Sequence, residues 1–256
     1  MQDGATKMIK DLTFYHDQTL LVIVFVICLV GFFLVIFVYK GLVIKNLTCG
    51  YIKRNETLEI LWTFFPIFWL VLLGVPSIGI LYSMEMSDEE YDLTLKAVGH
   101  QWYWRYEYSY KVSSAREGFD SVLRFKEENI SFDSYIINIE DLLEDGEGGY
   151  RLLEVDNRVV CPQGKNVRVV VGSDDVMHCW VVPRLGLKVD AIPGRLNRVF
   201  FSGEGVGVFY GQCSEICGAN HSFMPICVEL VTQEFFDLWW LKRRGWLEVY
   251  DNVIGN

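Results

Sequence analysis

Residues 211–225 read GQCSEICGANHSFMP and set Cys213, Cys217, His221 and Met224 in a C-x3-C-x3-H-x2-M pattern. A second histidine, His178 in DDVMHCW, lies thirty-five residues before Cys213. A thiolate, an imidazole and a thioether in one tight loop, joined by an imidazole from a distant segment, form a donor set that suits copper. One cysteine in such a loop makes a mononuclear blue-copper site. Two cysteines can bridge two metal ions, with one histidine on each. Met224 and a backbone carbonyl from the intervening Ser-Glu-Ile segment can then serve as weaker axial ligands. A bridged pair of this kind shares its unpaired electron, so one-electron transfer needs little reorganisation. A Cys213–Cys217 disulfide, a zinc site and unrelated core residues are the competing readings. A disulfide leaves His178, His221 and Met224 unexplained, zinc rarely recruits methionine, and the C-x3-C spacing alone is weakly specific.

Other residues are weighed against plainer roles. Seven cysteines is an odd count, so full disulfide pairing fails. Cys28 lies in an apolar run, and Cys49, Cys161, Cys179 and Cys227 read as small buried hydrophobes. Trp102, Tyr103 and Trp104 read as strand residues, where aromatics commonly pack a core. Glu107, Asp156, Asp174 and Asp175 are singly ordinary solvated carboxylates. Glu59 suits the N-terminus of a helix.

These residues need elements to hold them. The chain has 256 residues, 51% of them hydrophobic and 22% charged, with a mean hydropathy of +0.22. That is too apolar for disorder and high for an ordinary soluble chain. The charge is unevenly spread. Residues 1–82 hold six Lys/Arg against five Asp/Glu, and residues 83–256 hold seventeen against twenty-eight, net −11. An acidic body disfavours nucleic acid and suits a basic protein partner.

Residues 20–39 and 60–82 are uncharged runs, each long enough to cross the roughly 30 Å hydrocarbon core of a bilayer. Pro66 and Pro76 are tolerated in such a setting. The first run starts too late and runs too long for a signal peptide. The loop between the runs carries Lys40, Lys45, Lys53 and Arg54, which places it on the cytoplasmic or matrix side and the acidic body on the opposite side. From about residue 92, short β-branched or aromatic runs follow: 93–98, 166–171, 197–201, 205–211 and 226–231. With their turn residues they predict a sandwich or barrel. Residues 111–131 read as a charged surface excursion, and 233–244 as a short amphipathic helix.

The segments WTFFP (62–66), GHQWYWRYEY (99–108), SFDSY (131–135), RLLEVDNRVV (151–160), HCWVVPRLGLKVDAIPGRLN (from His178) and GQCSEICGANHSFMPICVELV (211–231) make the chain resemble subunit II of cytochrome c oxidase. The resemblance runs from about residue 14 to 240. It implies a membrane α-helical hairpin plus an all-β cupredoxin-like Greek-key sandwich or barrel. The organisation expected is an N-terminal segment at 1–19, the hairpin at 20–82, the copper domain at 83–240 and a tail at 241–256. Residues 111–130 and the tail are longer than is usual in the family.

The resemblance further implies a dinuclear CuA centre. His178 and Met224 would complete one copper, and His221 and the Glu215 carbonyl the other, with Cys213 and Cys217 bridging both. The Glu215 carboxylate would reach a magnesium ion shared with the large haem-bearing subunit. Trp102 would receive electrons from cytochrome c, the acidic residues together would dock that lysine-rich partner, and Glu59 would stand at a proton-uptake path. The chain would then be one subunit of an oxidoreductase and proton translocase, with no complete active site of its own. A membrane-anchored copper carrier and a copper-free structural subunit are the rival classes. Phe, Val, Gly, Cys and Trp total 84 residues against 24 for Pro, His, Gln and Thr. That skew resembles a strand-biased organelle genome, and no removable targeting segment is expected. The mitochondrial inner membrane is therefore expected, with the copper domain in the intermembrane space, and a bacterial plasma membrane with a periplasmic domain is the alternative.

Overall fold

The computed structural model describes residues 2–43, 54–85, 91–114, 124–144 and 149–244. Two compact units make up the chain, one of Asp11–Ser83 and one that joins Met1–Lys10 to Met84–Asn256.

The first unit is built from α1 (Lys7–Val43) and α2 (Glu56–Glu85). Both helices are long and apolar enough to cross a membrane. The uncharged run 20–39 lies inside α1, which begins thirteen residues earlier. Asn55 caps α2 by accepting the Leu58 amide at 3.0 Å on its Oδ1, and Glu56 and Glu59 occupy the first turn, where the helix dipole favours acids. The helix continues through Pro66 and Pro76. Cys49, Lys45 and Lys53 lie outside the described residues, as does most of the loop used for orientation.

The second unit is β-rich. Its strands are β1 (Leu93–His100), β2 (Tyr103–Ser114), β3 (Arg124–Ser134), β4 (Val159–Pro162), β5 (Val167–Ser173), β6 (His178–Val182), β7 (Leu187–Ala191), β8 (Asn197–Phe201), β9 (Gly207–Gln212) and β10 (Pro225–Val231). Two helices interrupt or follow them, α3 (Ile139–Glu144) and α4 (Gln233–Arg243). The sheets run β3-β2-β1-β5-β8, β4-β10-β9 and β6-β7. The β1–β5 and β4–β10 pairs are parallel and the rest antiparallel. Alternation puts Leu93, Leu95 and Ala97 of β1 and Trp104, Tyr106 and Tyr108 of β2 on inward faces. They share one core with Val167, Val169, Trp180, Ile226 and Val228. Phe236 and Trp240, one helical turn apart on α4, close it. The helical hairpin and all-β sandwich expected from the sequence are thus both present.

Two local expectations are corrected. Trp102 is not in a strand: the β1–β2 ladder ends at the pair His100↔Tyr103, so Gln101 and Trp102 form the two-residue turn. Aromatic strand propensity gives way there to hairpin closure. The excursion at 111–131 is largely strand, because β2 and β3 stay paired out to Ser114↔Arg124. Its sequence is charged and shows little alternation, so period alone does not reveal the strands. Residues 115–123 and the tail from 245 lie outside the described residues.

The N-terminal residues belong to the β-rich unit. Ala5 donates its amide to Arg184 O and accepts that of Glu204 on its own carbonyl, both at 2.9 Å. The Thr6 hydroxyl donates to Leu185 O at 2.9 Å, and Ile9 is buried.

Candidate metal centre

His178 opens β6, and Cys213 and Cys217 lie in the loop that joins β9 to β10. The pair Gln212↔Pro225 closes that loop at its base, so everything from Cys213 to Met224 is held on one short arch. A 3₁₀ turn at His221–Phe223 brings His221 and Met224 back over the cysteines. The arch can sit close to β6 because Gly211 has no side chain: a Cβ there would lie 1.7 Å from the Val181 carbonyl oxygen.

The donors converge. The two sulfurs stand 3.9 Å apart, and both cysteines are free. His178 Nδ1 lies 3.9 Å from Cys213 Sγ, His221 Nδ1 is 3.4 Å from Cys217 Sγ, and Met224 Sδ is 3.5 Å from the same sulfur. The Glu215 carbonyl oxygen lies 3.3 Å from Cys213 Sγ. The ligand atoms of His178, Cys213 and Cys217 fall within 4.8 Å of one another. Cys213, Cys217, Met224 and His178 are all buried. Two soft thiolates, a thioether and imidazole nitrogens in one dry pocket fit copper. The Met224 position disfavours zinc, and the histidines exceed what a disulfide needs.

Electrostatics around the pocket are asymmetric. Burial opposes ionisation of Cys213, but hydrogen bonds with His178 and with the backbone at Cys179 and Glu215 outweigh it and lower its pKa. Burial and then the neighbouring Cys213 raise that of Cys217. Asp175 faces His178 from outside, with Oδ1 2.8 Å from Nε2. That contact turns Nδ1 toward the sulfurs, the arrangement that fixes tautomer and ring plane in metal-bound histidines. Burial disfavours the charged forms of both partners. The hydrogen bonds of Asp175 to His178, Gln101 and Val176 nevertheless lower the carboxylate pKa, and those of His178 to Cys213 and Asp175 raise its own.

The β1–β2 turn lies against the arch. Trp102 Nε1 donates to the Cys217 carbonyl at 3.3 Å, and Gln101 Nε2 donates to the same oxygen at 2.8 Å. The Gln101 amide donates to Asp175 Oδ2 at 2.6 Å. Gly218, at φ +124°, keeps this contact open, because a Cβ there would meet the Trp102 ring at 3.0 Å. Trp104 is fully buried beneath.

Of the acidic candidates, Glu107 pairs with Lys96 at 2.9 Å and Asp156 accepts the Tyr135 and Asn157 amides. Asp174 is exposed, 3.6 Å from His100. Glu215 is half-buried on the arch. Sequence reading missed Gln101, Gly99 and Gly218 as shapers of the site. Asp175 carried a signal in its place three residues before His178, whereas Gln101 acts through an amide whose target no local pattern reveals.

Residues 93–231 match the family described as cytochrome C oxidase subunit II, periplasmic domain, and residues 1–80 its transmembrane domain. Cytochrome c oxidase subunit 2 of Drosophila melanogaster is 43% identical over 239 residues, which is 93% of this chain and 94% of that one. The periplasmic domain of subunit II of cytochrome oxidase (CoxB) of Bradyrhizobium japonicum is 37% identical, with 62% of this chain and 98% of that chain covered and a TM-score of 0.48. A subunit II domain solved as a mixed disulfide intermediate with a thioredoxin-like protein is 35% identical, with 63% and 96% covered and a TM-score of 0.46. On the two family matches and the extent of the Drosophila identity, the chain belongs to the cytochrome c oxidase subunit II family.

Proposed function

We infer that the chain receives electrons singly from reduced cytochrome c at Trp102 and holds a two-copper centre on Cys213, Cys217, His178, His221, Met224 and the Glu215 carbonyl. It then hands the electrons to haem in the large subunit, where oxygen is reduced and protons are pumped. The observation that carries this reading is the pair of sulfurs 3.9 Å apart with an imidazole beside each. Bound copper supplies a one-electron carrier with its charge spread over the bridged pair. The chain's own part is to keep that pocket dry and rigid: buried cysteines and Met224 exclude water, and Asp175 orients His178. Trp102 reaches from the protein surface to the carbonyl of a bridging residue, which supports it as the point where electrons arrive. The Glu215 side chain is free of its backbone's role, and a hard carboxylate oxygen suits magnesium at the large-subunit face.

The basic loop and the acidic outer unit support a two-pass topology with the copper domain outside. The skewed composition favours the mitochondrial inner membrane over a bacterial plasma membrane. The test is metal analysis with electron paramagnetic resonance on the full chain loaded with copper. Two coppers per chain and one electron shared over both nuclei are expected, and Cys213→Ser or Cys217→Ser should each abolish the shared signal. A single copper or only zinc in the folded chain would overturn the reading.

A further inference from the structure

Trp104 differs from the nearby Trp102. It lies in β2 with no exposed surface, so no soluble partner can reach it. Its indole Nε1 donates to the Met224 carbonyl at 3.3 Å. Its ring stands edge-on to the His178 imidazole, with centroids 5.9 Å apart and planes at 62°. One side chain therefore touches both residues assigned above to the same copper. Across the β1–β2 ladder Trp104 is paired with Gly99, where a Cβ would come within 2.8 Å of the His178 ring. His178 is thus boxed by the Trp104 edge, the bare backbone at Gly99 and the Asp175 carboxylate. His221, by contrast, sits half-buried in a 3₁₀ turn.

We propose that Trp104 is a positioning residue for the His178 and Met224 pair, and that it is not the conduit by which electrons arrive. Its ring edge fixes the imidazole plane, and its N–H fixes the backbone from which the Met224 thioether hangs. A thioether on three rotatable bonds adapts readily to its surroundings, so its distance from a metal is set by how firmly its backbone is held. The distance of a weak axial ligand tunes a copper site. This inference rests on the two-copper reading above.

The experiment uses the copper-loaded full chain and two variants, Trp104→Phe and Gly99→Ala. The first removes the N–H, and the second crowds the His178 ring from β1. Both should still bind two coppers, with an altered histidine hyperfine pattern. Trp104→Phe should also release copper to a chelator about tenfold more readily, the lower end of what outer-shell partners contribute to metal affinity. A Trp104→Phe chain with the unaltered hyperfine pattern and copper retention overturns the proposal, and slower electron transfer in that same chain makes Trp104 a conduit instead. If Trp104→Phe fails to fold, Gly99→Ala decides, and an unchanged histidine coupling there overturns the proposal. An unsubstituted chain that binds fewer than two coppers fails the underlying reading and removes this inference with it.

Discussion

At the scale of single residues, Trp102 beside the arch and Glu215 on it separate jobs that their neighbours combine. Trp102 is joined to the arch by its indole N–H, which donates to the Cys217 carbonyl at 3.3 Å. Trp102→Phe keeps an aromatic ring but breaks that link, so electron transfer from cytochrome c should slow by at least about tenfold, the equivalent of ~1.4 kcal/mol on the barrier. Binding of cytochrome c should change far less, which stopped-flow reduction and a separate affinity measurement distinguish. Unchanged reduction kinetics would remove Trp102 from the path. Glu215 offers its carbonyl to the sulfur side whatever its side chain is. Glu215→Gln should therefore retain copper with a modestly changed spectrum and weaken a magnesium or manganese site at the large-subunit interface. Manganese resonance on the purified complex reads this directly, and loss of copper with the hard-cation site intact would reverse the assignment.

At the scale of elements, the N-terminal segment is a strap on the β-rich unit. The Thr6 hydroxyl caps α1 by accepting the Ile9 amide at 3.3 Å and donates to Leu185 O at 2.9 Å. Thr6→Ala removes the cap and leaves a buried carbonyl short of a donor, a loss of about 1–3 kcal/mol. Faster proteolytic release of the first ten residues should report it in the full chain. This strap was not legible in the sequence, because nothing in MQDGATKMIK announces a partner at Arg184 to Glu204. What was legible followed simple periodicity or donor chemistry. The strands at 93–98 and 197–201 declared themselves by β-branched or aromatic runs, and the converging thiol, thioether and imidazole groups by residue type and spacing. The turn at Gln101–Trp102 was hidden by strong strand formers on both sides. The pairing of β2 with β3 beyond residue 110 was hidden because residues 111–131 carry charge and little alternation. The supporting glycines were invisible for another reason: their value is the atom that would collide, such as the Val181 oxygen beside Gly211.

At the scale of the whole molecule, charge and apolarity are divided between the two units. The helical unit, residues 11–83, holds four Lys/Arg and four Asp/Glu, net 0, and its long apolar side chains are exposed within the chain, while the β-rich unit, residues 1–10 and 84–256, carries net −10. A body so acidic presents a negative field to a soluble partner, and a basic electron donor would be drawn to it before any contact forms. Exposed charges lose that attraction beyond a Debye length, about 8 Å at physiological ionic strength against roughly 30 Å at 0.01 M. Steering of this type is worth 10- to 1000-fold in association rate by general estimate. The second-order rate of reduction by cytochrome c should therefore fall about tenfold or more from ~0.01 M to ~0.15 M salt, while the rate at saturating cytochrome c should move little. The acids should not contribute equally. Glu107 is tied to Lys96 and Asp156 to two backbone amides, so Asp174, exposed and 3.6 Å from His100, should steepen the salt dependence most. Asp174→Asn should flatten the slope more than Glu107→Gln does. A rate independent of salt in the unsubstituted protein would mean that the acidic surface serves solubility and that docking is carried by apolar contact around Trp102.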